Sequence, residues 1–235
     1  MALKVASRTH VGCKRKVNED AVLDRPDLGL YAVADGMGGH KAGDVASALV
    51  IEVLGAKPLG RALSDRIEEV RRRLADANAR LVAMRGEAGH TIGTTVVALV
   101  VDGGAFGCLW AGDSRCYRLR GGRLAQLTRD HSLVQDLVEV GEIAPEDARD
   151  HPNANVVTRA VGASGALEVD LMAGEVHKGD VYLLTSDGLT KVVEDHEIEA
   201  QLRMPDPAAT ADRLVALCLE RGAPDNVAVI VLRAE

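Results

Sequence analysis

The chain reads as an α+β protein in which antiparallel sheet is covered by helices. Two neighbouring helical patterns, at 42–55 and 64–86, each carry a single apolar face. Short β-favouring runs separated by glycines fill 91–128, and a last helical pattern at 206–222 leads into a closing run of β-formers at 227–232. A helix with one apolar face must bury it against something, and one face of a sheet is the simplest cover.

The individual elements follow in order. Residues 3–11 form a first strand and 12–18 a polar turn. The apolar runs 21–23 and 30–34 are further strands, separated by the turn Asp24-Arg25-Pro26-Asp27. From Ala42, the positions Val45, Ala46, Leu49, Val50, Val53 and Leu54 lie on one helical face that ends at Gly55. Ser64 is a suitable N-cap for the next helix. There Ile67, Val70, Leu74, Ala77, Leu81 and Met84 recur at alternating steps of three and four, and Gly86 stops the pattern.

The runs 91–101, 105–111, 116–120 and 124–127 are broken at Gly103-Gly104, Gly112-Asp113 and Gly121-Gly122, which predicts an antiparallel meander. Residues 129–160 are polar and irregular, with short helices near 133–140 and 146–149, a length of loop that is commonly functional. Strands return at 167–172 and 181–185. Asp206-Pro207, a cap followed by proline in the first turn, starts the final helix. That helix buries Ala211, Leu214, Val215, Cys218 and Leu219 and ends at Gly222.

Composition narrows the function. At 235 residues the chain suits one domain with a substantial core, and its 47% hydrophobic and 27% charged residues are ordinary for a globular protein. With one Trp, one Phe and three Tyr, the core is aliphatic and stacking on bases is a poor binding mode. A net charge of −7 argues against nucleic acid as partner. Arg71-Arg72-Arg73, a basic triplet, lies in a helical pattern that also carries acids and reads as a solvated face. Cys13, Cys108, Cys116 and Cys218 form no CxxC pair and no zinc-finger spacing. The first residues lack the apolar core of a signal peptide, and no run is long enough to span a membrane. The expectation is a reduced, cytoplasmic monomer with no membrane partner.

The chemistry sits where acids adjoin glycine or asparagine at the ends of apolar runs: Asn18-Glu19-Asp20, Asp35-Gly36, Gly112-Asp113-Ser114-Arg115, Ser186-Asp187-Gly188 and Asp225-Asn226. One such acid is usually a turn former. If the ends of all these strands converge, several carboxylates share one small site. Two like charges about 4 Å apart repel by roughly 1 kcal/mol in water and about 4 at a protein surface. Such a cluster needs cations or protons. Carboxylates, carbonyls and waters are hard oxygen ligands suited to Mg2+ or Mn2+.

These segments, together with residues 12–20, 34–40, Gly93-Thr94-Thr95, 185–189 and Pro224-Asp225-Asn226, stand in the order seen in the PPM/PP2C-type metal-dependent serine/threonine phosphatases. The chain resembles most the short bacterial members, which share the run Asp35-Gly36-Met37-Gly38-Gly39-His40. The resemblance spans nearly all of the sequence. It implies a single domain over 1–235, built as an α-β-β-α sandwich of two mainly antiparallel sheets flanked by helix pairs, with a flap at about 131–160.

It further implies that Asp35 bridges two Mn2+ or Mg2+ ions and that Gly36 offers its carbonyl to one of them. Asp187 and Asp225 then bind the other ion. Glu19 and Asp20 lie on the metals or hold their waters, while Ser186, Gly188 and Asn226 stand behind these acids. Asp113, with Asp187, resembles the support of a third, weaker metal. Arg15 takes the substrate phosphate through a forked contact that lysine makes less well. Hydroxide bridging the metals would attack phosphorus in line, with no phosphoenzyme.

The leaving alkoxide needs a proton. Met37 occupies the position where many eukaryotic members carry histidine, which leaves His40 either to supply that proton, directly or through water, or to hold the loop. His10 stands where an acid is expected in many bacterial members. His131, His151 and Asn153 read as loop residues of the flap. Cys13-x-Arg15 is not the longer phosphate loop of cysteine phosphatases. The implied partners are phosphoprotein substrates and a cognate bacterial Ser/Thr kinase. Two alternatives stand beside this reading: a catalytically silent regulatory domain of the same fold, and a phosphatase of small phosphoesters.

Overall fold

The computed structural model of the protein describes residues 2–38, 42–56, 58–84 and 92–235. Its strands are β1 (Leu3–His10), β2 (Asp20–Arg25), β3 (Leu30–Met37), β4 (Gly93–Thr94), β5 (Val96–Asp102), β6 (Ala105–Ala111), β7 (Arg115–Arg120), β8 (Arg123–Gln126), β9 (Asp170–Glu175), β10 (Val181–Thr185) and β11 (Val227–Ala234). Its helices are α1 (Gly43–Gly55), α2 (Leu63–Met84), α3 (Leu133–Glu139), α4 (Asp187–Thr190), α5 (Asp195–Leu202) and α6 (Pro207–Glu220).

The strands form two antiparallel sheets, ordered β1-β11-β10-β7-β8 and β2-β3-β5-β6-β9, with β4 paired to β3. Residue alternation builds three apolar layers from them. Along β3, Leu30, Ala32 and Ala34 pack under α1 and α2, while Tyr31 and Val33 face the other sheet. Along β11, Val227, Val229 and Val231 meet α5 and α6, while Ala228, Ile230 and Leu232 face inward. A strand covered on both faces has no polar alternation, which is why these segments read as unbroken apolar runs. Phe106 and Tyr182 meet edge-on across the inner layer, with ring centroids 5.4 Å apart. The result is an α-β-β-α sandwich, as the resemblance implied.

Several local expectations change. The predicted meander is divided between sheets, with β5 and β6 in one and β7 and β8 in the other. Gly112-Asp113 is therefore a crossing between sheets, not a hairpin turn. β3 runs past Ala34 to Met37, because Gly36 and Met37 find partners in Thr94 and Gly93 of β4. β9 lies three residues later than predicted, at Asp170–Glu175. Ser64 is inside α2, which starts at Leu63. In α6 the fully buried positions include Leu217, whereas Val215 and Leu219 are only partly covered.

Helices α4 and α5 are not predicted by the sequence pattern. They are short, and α5 is held by a capping box in which Glu194 and Glu197 each accept the other's backbone N–H. The Asp206 cap of α6 is as expected: its carboxylate accepts from the amides of Ala208 and Ala209. Among the described residues, no helix is long and apolar enough to cross a membrane.

Candidate active site

One end of the sandwich gathers the acids. Asp20 opens β2 and pairs directly with Asp35 near the end of β3. Asp187 begins α4 just after β10, Asp225 precedes β11, and the crossing from β6 to β7 carries Asp113. Asp35, Asp113, Asp187 and Asp225, together with Arg15, Glu19 and Gly36, line a cavity of about 1210 Å3. Residues from the 145–157 stretch line the same cavity.

Backbone proximity explains the glycines. A Cβ on Gly36 would lie 2.0 Å from the carbonyl oxygen of Gly43 and 2.7 Å from that of Glu19. A Cβ on Gly188 would lie 1.8 Å from the carbonyl oxygen of Asn226. The absent side chain at Gly36 therefore admits the start of α1 against β3, an account that needs no metal.

Neighbouring residues lock the acids in place. Asn226 is buried; its amide donates to the carbonyls of Val11 (2.9 Å) and Val17 (3.0 Å), and its Oδ1 accepts from the amide of Glu19 (2.8 Å). It thus clamps the 11–19 turn that presents Arg15 and Glu19. Ser186 Oγ donates to Asp20 Oδ2 at 2.7 Å and accepts the amide of Ala228 at 2.9 Å. Thr95 Oγ1 and Ser114 Oγ share a 2.7 Å hydrogen bond beneath the Asp113 crossing. His10 departs from the expected acid and accepts the amide of Gly12 at Nδ1 (2.9 Å), closing the same turn.

Crowding of carboxylates shows in their proton affinities. Burial first, and then the charges of Asp187, Asp20, Asp113 and Asp225, push the Asp35 carboxyl well above the ordinary range. Burial raises Asp20 to about 7, opposed by the Ser186 hydrogen bond and reinforced by Asp187 and Asp225. Burial likewise raises Asp113 to about 7, with Asp187 and Asp130 adding to it and Lys191 opposing. Glu19 is raised by burial and relieved in part by Arg15.

Two side-chain cations answer this charge. Arg15 forks onto Asp225, with Nε 2.9 Å from Oδ1 and Nη2 3.0 Å from Oδ2. Lys191 pairs closely with Asp187 Oδ2 and lies 3.7 Å from Asp225 Oδ2. Among the described residues, no three His, Cys, Asp or Glu side chains close on one point as a finished coordination shell would. Asp187 and Asp225 are turned onto these cations instead. Even so, Asp20 Oδ1 and Asp187 Oδ1 are buried without a hydrogen-bond partner. Orphaned anionic oxygens cost more than neutral ones, and an all-oxygen, strongly anionic donor set fits a hard divalent cation.

Sequence reasoning missed three site residues. Lys191 carries no signal without knowledge of α4, which places it four residues along from Asp187 on one helical face. His131 lies in the loop before α3, as expected, but it is buried. Its Nδ1 accepts the amide of Gly112 (3.1 Å), its own amide donates to the carbonyl of Gly112 (2.9 Å), and its ring stacks on Trp110. It fixes the crossing that carries Asp113. Arg115, beside the cavity, forks onto buried Asp130 and donates to Tyr117, whose hydroxyl reaches Asp195 at 3.0 Å. His151 accepts the amide of Asn153 at 3.1 Å, a local loop contact. His40 lies outside the described residues.

Comparison with known proteins places this geometry. Residues 12–217 match the family model described as protein phosphatase 2C. The chain is 41% identical over 235 residues to the serine/threonine protein phosphatase PstP of Mycobacterium tuberculosis, covering 98% of this chain and 45% of that protein. It therefore spans about half the length of that curated relative. Among solved structures, PppA, a key regulatory component of T6SS in Pseudomonas aeruginosa, superposes with a TM-score of 0.93 at 47% identity, covering 100% of this chain and 99% of the other. The catalytic domain of PstP in complex with 2 manganese ions superposes with a TM-score of 0.87 at 39% identity over 99% of both chains. The chain belongs to the protein phosphatase 2C family.

Proposed function

We propose that the chain is a metal-dependent phosphoprotein phosphatase that hydrolyses phosphoserine and phosphothreonine. The observation that carries this reading is the convergence of Asp20, Asp35, Asp113, Asp187 and Asp225 beside Arg15, with two of their buried oxygens unpartnered. Residues 1–235 act as one phosphatase domain with a flap over 131–160. Asp35, the Gly36 carbonyl, Asp187 and Asp225 would hold two Mn2+ or Mg2+ ions, with Glu19 and Asp20 alongside and Asp113 toward a third, weaker one. The manganese pair in the PstP catalytic domain supports this number. Bound there, the metals supply an acidified water and neutralise phosphoryl oxygens.

The remaining work falls to the protein. Arg15 presents a planar two-donor fork, now spent on Asp225, that matches a phosphoryl group equally well. Asn226 holds the turn bearing Arg15 at fixed distance from β11, so the fork is aimed before substrate arrives. Ser186 orients Asp20 toward Asp35. His40 is the candidate to protonate the departing alkoxide. Every metal-binding acid that the resemblance implies is present, which weighs against a silent regulatory domain. A cavity of about 1210 Å3 suits a peptide segment better than a small phosphoester. The substrates would be products of a Ser/Thr kinase in the same cytoplasm.

The test is phosphate release from a phosphothreonine peptide. EDTA should abolish it and manganese restore it. Protein loaded with metal but inert toward phosphopeptides would overturn the reading.

A further inference from the structure

Lys191 stands out as a cation in the acid cluster that no family motif accounts for. It caps α4, donating its amide to the carbonyl of Asp187 at 2.8 Å. Four residues apart on one helical turn, the two side chains necessarily share a face. The ammonium pairs with Asp187 Oδ2 and sits 3.7 Å from Asp225 Oδ2. The other oxygen of Asp187 is buried and unpartnered, so Lys191 supplies the counter-charge that this carboxylate has. Arg15 meanwhile forks onto both oxygens of Asp225. The side chain of Lys191 is 29% exposed and that of Asp187 15%, which leaves the ammonium a path out to water.

We propose that Lys191 is an internal competitor for the metal site: its ammonium neutralises Asp187 and Asp225 when no metal is bound and must be displaced when a divalent cation arrives. This rests on the metal-dependent phosphatase reading and adds to it a set point for metal affinity. The tether matters. A free potassium or sodium ion exchanges with bulk, but a lysine four residues from its partner stays within reach of the site, at high effective concentration. Opening the pair frees the Asp187 oxygen at the cost of leaving a positive charge near the incoming ion. Affinity is thereby lowered, and the empty site is spared like-charge repulsion among its acids. One side chain thus shifts two quantities in opposite directions.

The experiment is manganese titration by calorimetry and thermal melts in EDTA, on wild type, Lys191→Met, Lys191→Gln and Lys191→Arg. Lys191→Met and Lys191→Gln should bind manganese about tenfold more tightly or better, a gain of ~1.4 kcal/mol, and melt several degrees lower in EDTA. Lys191→Arg should stay within about threefold of wild type. A merely structural lysine would weaken both properties together, so loosened manganese binding in Lys191→Met overturns the proposal, as does an unchanged affinity. If neither wild type nor Lys191→Met binds manganese, the metal reading falls along with it. An unchanged affinity in proteins that do bind manganese overturns the role of Lys191 alone.

Discussion

The inner layer between the sheets and the acidic end of the same sandwich are built from the same strands on opposite terms. Tyr31, Val33, Leu99, Leu184 and Ile230 are almost wholly buried, with apolar neighbours on every side. A few residues further along, Asp20, Asp35 and Asp187 are buried or half-buried, mutually repelling, and two of them carry orphaned oxygens. Each fully buried Leu or Ile contributes about 1.5–3 kcal/mol. The stability of the inner layer holds a cluster in place that the chain would otherwise relax away from. Removing a side chain should therefore have opposite consequences in the two regions.

The largest expected effect is catalytic. Asp35→Asn should cut phosphopeptide hydrolysis by more than about a thousandfold, beyond the loss seen for a single oxyanion donor. The same variant should melt no lower than wild type in EDTA, since a repelled charge is gone. Steady-state rates and chelated melts check both halves. Next comes the core. Ile230→Ala should cost about 2–5 kcal/mol, lowering the melting point equally with and without manganese, while leaving KM unchanged. Third, Gly188→Ala would drive a Cβ into the Asn226 carbonyl, 1.8 Å away, and so displace the clamp on the 11–19 turn. It should weaken manganese binding and destabilise the fold together, read by titration and melting.

The smallest effect is the pH response of the metal-free protein. Asp20 and Asp113 rise from 3.8 to about 7 in the fold. A raised carboxyl contributes stability that is complete below 3.8 and is lost as pH climbs through about 7. In EDTA the melting point should fall between pH 5 and pH 8, and Asp113→Asn should flatten that slope. A melting point that rises over this interval in EDTA would contradict the account of crowded carboxylates.

The two regions also differed in how well the sequence disclosed them. The layers were readable because both faces of β3 and β11 are covered, leaving apolar runs at 30–34 and 227–232, although the strands extend to Met37 and Ala234. The acids were readable by type, since Asp-Gly and Asp-Asn at strand ends have few other uses in such number. What failed was anything decided by a distant partner. Gly112-Asp113 has the chemistry of a hairpin turn, and only the second sheet makes it a crossing. Gly36 looks like the end of a strand until β4 pairs with it. His131 is polar and sits among polar neighbours, so its burial beside Trp110 left no local trace. Lys191 became meaningful only once α4 turned it back onto Asp187.

The central claim is that the acidic end is a cation site supported by the apolar layers beneath it. The most direct measurement is calorimetric titration of chelator-stripped protein with manganese, for wild type and Asp35→Asn. The account predicts two ions bound per wild-type chain and loss of both in Asp35→Asn. Wild-type protein that takes up no manganese, or an Asp35→Asn variant that still binds two ions, would contradict it.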